Sequence, residues 1–182
     1  MLARQRARLD RSTLSHWVGN ACWWLRPLYD LVVSAVLSSD KVFADYTALP
    51  VPDPGRGRTK TGYLWYYAVD DRRWCGPTHP AVAYIYAEDR KNARPAEYLA
   101  SFGGVLQVDR YNGFKTLAME RADHSVRLAF CWTHMPREFF QFHASTQSPL
   151  AAEVLARVAS LYAIEAEIRG RPAEYRRQKR QK

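Results

Sequence analysis

The chain is poor in cysteine, and the few cysteines do not form a disulfide pattern. Three of them stand at unrelated spacings along 182 residues: Cys22, Cys75 and Cys131. An odd number at irregular spacing excludes the disulfide framework of a small secreted protein and is typical of a reducing compartment. We therefore predict a cytoplasmic protein.

The sequence also lacks a long uninterrupted apolar run. Its most hydrophobic stretch, 17–37, is interrupted by Arg26, Pro27 and Asp30, which are costly in lipid and ordinary in a soluble helix. The first eleven residues are rich in arginine and have no apolar run behind them, so we expect no secretory signal. These absences argue against a membrane protein and predict a helix that packs in a soluble core.

Acidic residues are few compared with basic ones. There are 18 Asp and Glu residues against 27 Lys and Arg residues, and the formal net charge is +9. Such an excess favours an anionic partner, of which nucleic acid is the commonest. The alternative is that the charge only maintains solubility, because much of it lies in two end runs, 4–11 and 169–182, of the kind that often form solvated arms.

Hydrophobic periodicity predicts an α/β protein. Apolar steps of three and four predict a helix over about 14–36, kinked at Pro27. Runs of β-branched and aromatic residues predict strands at 41–47, 62–69, 81–87, 105–108 and 126–132, with a proline- and glycine-rich loop between the first two. Helices are predicted at 95–102, 113–119, 137–144 and 149–168. This order is that of a ribonuclease-H-like fold, a mixed five-stranded sheet with flanking helices.

Two aspartates stand in matching positions at the ends of predicted strands. Asp45 lies near the end of the first strand, and Asp109 follows the fourth. An aspartate in such a position is often only a turn-former or a helix cap. In a ribonuclease-H-like sheet, however, the first and fourth strands are parallel neighbours, so both carboxylates emerge at the same edge. Carboxylate oxygens are the ligands that Mg²⁺ prefers, and a pair of such ions catalyses phosphoryl transfer.

Several longer segments resemble consecutive motifs of insertion-sequence-66-type DDE transposases. They occur in the order and at the approximate spacings of that family over residues 9 to 178: LDRSTL at 9–14, WVG at 17–19, FADYT at 43–47, DPGRGRTKTGYLW at 53–65, LQVDRYNGF at 106–114, CWTH at 131–134 with REFF at 137–140, and LYAIEAEIRGRP at 161–172. The resemblance rests on the agreement of several long segments and not on the rarity of any short one.

The resemblance implies that Asp45 and Asp109 are the first and second metal-binding, catalytic acids of DNA strand cleavage and transfer. It implies Mg²⁺ as the cofactor. Transposon-end and target DNA are the implied partners, together with a second copy of the chain or a full-length transposase. Two segments are implied to lie near the DNA-handling face, and they supply the candidate DNA-binding residues Arg56, Arg58, Lys60, Trp132, His134 and Arg137.

The chain also departs from the family pattern. Tyr46 stands where the family usually has a second acid, and Pro136 interrupts its usual basic pair. The third acid, a glutamate, lies in the family well downstream of Pro172, and the N-terminal zinc-binding and helix-turn-helix parts are also expected to be missing. No other glutamate is marked out for the role. We therefore expect a partial catalytic core that is inactive alone. The alternatives are a basic DNA-binding fragment that regulates a full-length transposase, or an inert remnant.

These patterns predict three regions. Residues 1–40 are expected to form a helical lead-in, residues 41–147 a partial ribonuclease-H-like catalytic core that is incomplete at its C-terminus, and residues 148–182 a long helix and basic tail that begin a helical insertion.

Two further patterns have a plainer interpretation beside a functional one. Cys75, His79, Cys131 and His134 offer zinc-ligand types, but their spacings are unlike those of paired zinc knuckles, which favours a buried thiol and a turn histidine. Trp65, Trp74 and Trp132 could stack on bases, but aromatic residues that alternate along strands more often pack within a sheet.

Overall fold

The computed structural model describes residues 9–121 and 125–181, and its elements follow the predicted order. The bounds in chain order are α1 Arg11–Leu37, β1 Lys41–Asp53, β2 Arg58–Val69, a 3₁₀ turn Arg72–Trp74, β3 Ala81–Ala87, α2 Ala93–Tyr98, β4 Gly104–Val108, α3 Asn112–Glu120, β5 Val126–Phe130, α4 His134–Thr146, α5 Pro149–Glu167 and α6 Ala173–Arg180.

The strands form one mixed sheet in the order β3-β2-β1-β4-β5. β1, β2 and β3 are antiparallel neighbours, whereas β4 is parallel to β1 and β5 is parallel to β4. The α/β class and the mixed five-stranded sheet are therefore confirmed. The first and fourth strands are adjacent and parallel, as the sequence predicted.

One face of this sheet carries the core. Along each central strand, alternate side chains point to that face, because the side-chain period of a strand is two. Trp65 and Tyr67 of β2 and Leu106 of β4 are almost fully buried there, together with Phe102 and Phe114 from the segments that follow α2 and begin α3. The opposite face carries the other set of side chains, among which are the residues of chemical interest.

The predicted loop between the first two strands is instead the outer half of a long β-hairpin. β1 continues through Pro50 and Pro52 to Asp53, and it pairs with β2 as far as Asp53 opposite Arg58. Proline lacks an N–H donor and is confined to positions where that donor would face an open edge. β4 pairs only with Lys41 to Phe43, so the outer part of β1 has such an edge. The turn itself is only 54–57.

The helix predicted for the core lies mostly outside it. Only the last turns of α1 contact the core. Val36 is fully buried in the core, and Val32 and Leu37 pack against the core. Residues 11–28 are almost all exposed, and Trp23 and Trp24 have 69% and 74% of their surface in solvent. The prediction was wrong for this part because apolar periodicity does not tell which surface covers it. Among the described residues, no helix combines the length and apolar character that a membrane crossing needs.

The basic C-terminal run forms a helix, not a solvated arm. Arg176 and Arg180 of α6 pair with Glu165 of α5 at 3.3 and 2.5 Å, and Lys179 pairs with Glu167 at 2.5 Å. Part of the basic excess at this end is therefore neutralised locally by α5. The basic residues at positions 4, 6 and 8 lie outside the described residues.

Gly104 fixes the junction between β1 and β4, which leads to a stability prediction. Its φ of +147° is rarely adopted by residues with a side chain, and a Cβ there would overlap the carbonyl oxygen of Asp40. That oxygen accepts a hydrogen bond from Val105 N at 2.8 Å. We expect Gly104→Ala to lower the free energy of unfolding by about 2 kcal/mol or more, measured by urea denaturation.

Gly103 provides the matched control. A Cβ at this neighbouring glycine would meet Ser125 at an ordinary 3.7 Å. We expect Gly103→Ala to change the free energy of unfolding by no more than about 0.5 kcal/mol. Equal destabilisation by the two substitutions would contradict the role of Gly104.

Candidate active site

Asp45 and Asp109 occupy equivalent positions on adjacent parallel strands. The Cα partners of β1 and β4 are Lys41 with Val105, Val42 with Leu106 and Phe43 with Gln107. The same offset of 64 residues, continued beyond the last paired residues, sets Asp45 opposite Asp109. Both acids therefore lie at the same end of the sheet, where β1 parts from β4.

The two acids also share a face of the sheet. Val42 and Ala44 on β1, and Leu106 and Val108 on β4, are buried in the core. Asp45 and Asp109 alternate with them, so their side chains point to the opposite face, and both are half-buried. A carboxylate there is accessible to a ligand and partly shielded from solvent, so its charge is less screened than that of a freely exposed group.

The same row extends across all five strands. Asp45 is opposite Tyr66 of β2, and Tyr66 is opposite Tyr84 of β3. On the other side, the register of β4 with β5 places Cys131, the residue after β5, opposite Asp109. The row therefore runs from two tyrosines through two carboxylates to a thiol.

Asp45 is held from two sides. Its Oδ1 accepts a hydrogen bond from Tyr46 N at 2.7 Å, and its Oδ2 accepts one from the Tyr66 hydroxyl at 3.2 Å. Burial, with the negative charge of Asp45 and this hydrogen bond, raises the pKa of Tyr66 to about 12. Tyr66 therefore stays protonated near neutral pH and remains a donor that orients the carboxylate.

Asp109 is held by the turn that follows β4. Its Oδ1 accepts a hydrogen bond from Tyr111 N at 2.9 Å, the usual bond of an aspartate to its own backbone two residues on. Among the described residues, none donates a hydrogen bond to Oδ2. The next residue, Arg110, pairs with Glu138 of α4 at 3.4 Å, which ties the turn to that helix. One Asp109 oxygen is thus left for a ligand.

A cation–aromatic cluster behind the row supports both acids. Tyr46 points to the core side, where its ring lies 4.9 Å from that of Trp65 and 5.3 Å from that of Tyr111. Arg90 lies over the rings of Tyr46 and Tyr111 and donates to the Tyr46 hydroxyl at 2.8 Å. The Tyr111 hydroxyl donates to the Arg90 carbonyl oxygen at 2.6 Å.

This cluster, defined by Tyr46, Arg90 and Tyr111, was not predicted from the sequence. Tyr46 and Tyr111 each follow an acid closely and stand within the family-like motifs, which was the available signal. Arg90 had none, since it lies in a loop far from either motif in the chain. Tyr46 replaces an acid of the family pattern with a ring that packs away from the row.

The carboxylate oxygens of Asp45 and Asp109 are the type of ligand that a hard divalent cation prefers. Carboxylate oxygens match the preference of Mg²⁺, and Asp109 Oδ2 is free of competing donors in the described residues. Within residues 9–121 and 125–181, no three His, Cys, Asp or Glu side chains are grouped so that they could hold a metal ion. The two acids therefore offer only part of a ligand set. Of the zinc-type residues, Cys75 is exposed, and the side chain of His134 lies outside what is described.

The predicted DNA-binding residues fall in two places. Arg56, Arg58 and Lys60 lie at or near the hairpin tip, about 20 to 26 Å along β1 from Asp45 at about 3.3 Å per residue. All three are exposed; Arg56 and Arg58 lie 3.8 and 3.7 Å from Asp53, and Lys60 lies 3.3 Å from Glu88. The structure therefore does not bring the hairpin tip to the acids.

The second group lies beside the row. Trp132, 54% exposed, lines a cavity of about 400 Å³ together with Asp109, Arg110 and Lys115. Arg137 is exposed in the first turns of α4, and His134 is the first residue of that helix. Lys115 was not among the predicted residues. It follows Asp109 by six residues on α3, and its single charge gave no sequence signal.

Comparison with known proteins shows which sequences the chain is similar to. The family model described as "Transposase IS66 family" matches residues 1–182. Three proteins of Sinorhizobium fredii (strain NBRC 101917 / NGR234) are similar to the chain. "Uncharacterized protein y4jD" is 49% identical over 176 residues, which cover 95% of this chain and 34% of that protein.

"Uncharacterized protein y4qI" is 37% identical over 182 residues, with 98% of this chain and 34% of that protein covered. "Uncharacterized protein y4hP" is 34% identical over 195 residues, with 96% and 35% covered. The chain thus spans about a third of the length of these curated relatives. A family match over the whole chain confirms the resemblance found in the motifs, and the chain belongs to the IS66 family of transposases.

Proposed function

We propose that this chain supplies the first and second metal-binding acids, Asp45 and Asp109, of a DDE-type reaction that cleaves and transfers DNA strands. The observation that carries the proposal is their shared row: equivalent register positions on adjacent parallel strands, on one accessible face. Family membership supports transposition as the process, with DNA as the substrate.

We further assign the sheet to the ribonuclease-H-like fold. The strand order β3-β2-β1-β4-β5 supports this assignment, as do three antiparallel strands followed by two parallel ones. On this assignment, residues 41–147 are the catalytic core. Residues 1–40 are a lead-in, supported by the exposure of most of α1, and residues 148–182 begin a helical insertion formed by α5 and α6.

The roles of the residues follow from their contacts. Asp45 and Asp109 would hold divalent metal, proposed to be Mg²⁺, with Tyr66 orienting Asp45 and the Tyr111 backbone orienting Asp109. Bound at such a site, Mg²⁺ supplies positive charge that acidifies an attacking hydroxyl and stabilises a leaving oxygen. Arg110 and Lys115, which line one cavity with Asp109, would neutralise a DNA phosphate, and Trp132 lines the same cavity.

The first prediction concerns metal binding. We expect the chain to bind Mn²⁺ weakly, and we expect Asp45→Asn or Asp109→Asn to reduce the affinity by about tenfold or more, because each removes a charged oxygen ligand. A titration followed by electron paramagnetic resonance of free Mn²⁺ measures this. Asp70→Asn is the control, since Asp70 pairs with Arg72 in an exposed turn away from the row. Equal affinity in all four proteins would contradict the metal assignment.

The second prediction concerns duplex DNA. We expect sequence-tolerant binding that weakens steeply with salt, because binding of phosphates releases counterions. Replacing Arg56, Arg58 and Lys60 together by glutamine should reduce the slope of log affinity against log salt by roughly 0.9 for each phosphate that the hairpin no longer neutralises. Fluorescence anisotropy at several salt concentrations measures the slope.

The double variant Arg26→Gln/Arg157→Gln is the control for the hairpin substitutions. Both arginines are exposed and engaged in helical ion pairs with Asp30 and Glu153, away from the hairpin. The control removes two charges and the hairpin variant three, so an equal change of slope for each charge removed would show that only net charge matters and would refute a hairpin contact.

The third prediction is that the 182-residue chain alone does not cleave or join DNA. Two carboxylates leave the ligand set incomplete among the described residues, and misplacement of reacting groups by about 1 Å costs on the order of a hundredfold in rate. A labelled transposon-end duplex with Mg²⁺ or Mn²⁺, beside Asp109→Ala, tests this.

Cleavage above the Asp109→Ala control would contradict that prediction and would mean that another residue completes the site. If the chain does not cleave DNA but inhibits a full-length transposase, that result would favour the alternative that it is a DNA-binding fragment that regulates the full-length enzyme.

A further inference from the structure

A second cavity on the acid face lies between the sheet and helices α5 and α6. Its volume is about 440 Å³, within the range of small-ligand sites. We refer to it as the α5–α6 pocket. Strand residues Phe43, Gln107 and Ala129 contribute to its lining, as do Trp74, Trp132 and Tyr162, and basic residues from four segments complete it.

The α5–α6 pocket adjoins the acid row. Phe43 precedes Asp45 by two residues and Gln107 precedes Asp109 by two, so both point to the same face as the acids. Two residues of strand correspond to about 7 Å. Cys131, at the end of the row, lines the pocket itself. A DNA strand held at the acids would therefore pass the mouth of the pocket within one nucleotide.

The lining is strongly cationic. Five basic side chains, Lys41, Arg73, Arg169, Arg176 and Arg180, face one carboxylate, that of Glu165. Glu165 is already engaged by Arg176 and Arg180. The excess of positive charge has no counterpart among the described lining residues and suits an anion such as a phosphate.

Arg176 contributes a hydrogen-bond donor that an anion could satisfy. Only 14% of its side chain is exposed, and its buried Nε has no hydrogen-bond partner within residues 9–121 and 125–181. A buried donor without an acceptor destabilises the fold, and an anionic oxygen would satisfy it.

Lys41 is influenced by two of these arginines and by Asp71. Burial is the main cause of its lowered pKa. The charges of Arg176 and Arg73 add to this lowering, whereas Asp71 opposes it. A bound anion would favour the protonated lysine.

Aromatic rings supply the other half of a nucleotide site. Lys41 Nζ lies 4.1 Å from the ring centre of Trp74 and 4.5 Å from that of Phe43, so charge and ring faces are adjacent. Trp132 and Tyr162 are 54% and 45% exposed at the rim. Exposed aromatic faces beside cations are the recurring platform for unpaired bases.

We propose that the α5–α6 pocket binds one unpaired nucleotide of the DNA strand that runs past Asp45 and Asp109, with its base on the exposed rings of Trp132 and Tyr162 and its phosphate on the arginines. This inference rests on the proposed function, since it takes the strand at the acids to be DNA. A base must leave the duplex to stack on side chains in this way, so the pocket selects single-stranded DNA next to the reacting phosphate.

The test compares two labelled DNA probes by fluorescence anisotropy: a blunt duplex, and the same duplex with a short thymidine overhang. The intact chain should bind the overhang probe about tenfold more tightly, the worth of one stacked base. The variant Arg73→Gln/Arg169→Gln should lose this preference. Both side chains are exposed and belong to no ion pair in the described residues, so the fold should persist, as circular dichroism would verify.

The double variant Arg26→Gln/Arg157→Gln removes the same charge outside the pocket and should keep the tenfold preference. Equal affinity of the intact chain for the two probes would overturn the pocket while leaving duplex binding in place. Overhang binding without blunt-duplex binding would support the pocket and contradict the hairpin contact. Failure to bind either probe would overturn both proposals. Loss of the preference for the overhang probe in the control would show that net charge, and not the pocket, causes that preference.

Discussion

The arrangement of the acids depends on a very short parallel contact between β1 and β4. Only three residue pairs join these strands, and the junction begins where Val105 N donates to the Asp40 carbonyl oxygen across Gly104. A slip of one residue in this register would turn Asp109 to the core face and Val108 to solvent. Burial of Leu106 and Val108 on one side therefore sets the position of Asp109 on the other, and the same holds for Asp45 through Val42 and Ala44.

The sequence predicted those elements in which local pattern and tertiary environment agree. Five strands, and the positions of Asp45 and Asp109 near strand ends, could be found because β-branched and aromatic runs end in turn-forming residues. The hairpin beyond Thr47 could not be found, since Pro50 and Pro52 suggest a loop unless one knows that β4 leaves that edge of β1 unpaired. Likewise, the apolar steps of α1 correctly predicted a helix, but burial depends on what lies opposite, and for Trp23 and Trp24 the described structure offers nothing.

Charge patterning was the least predictable feature. The basic run at the C-terminus resembled a solvated tail because its partners, Glu165 and Glu167, belong to the preceding helix and not to the run itself. Exposed ion pairs of this kind each contribute at most about 1 kcal/mol, so α6 is held by several weak pairs together. The consequence is functional as well as structural, because docking of α6 brings Arg176 over the sheet and builds one wall of a cavity that no linear motif could reveal.

The two prolines of the hairpin have one more effect. Beyond Phe43, β1 presents a backbone edge to solvent that β4 does not cover, and an open edge of this length is a template for strands of other chains. Pro50 and Pro52 remove two donors from that edge, two residues apart and therefore on the same side. A strand from another chain could not form a continuous ladder of hydrogen bonds along this edge. The hairpin thus extends far from the core while its edge resists pairing with other strands, which leaves a basic β-ribbon accessible to a partner that is not itself a strand.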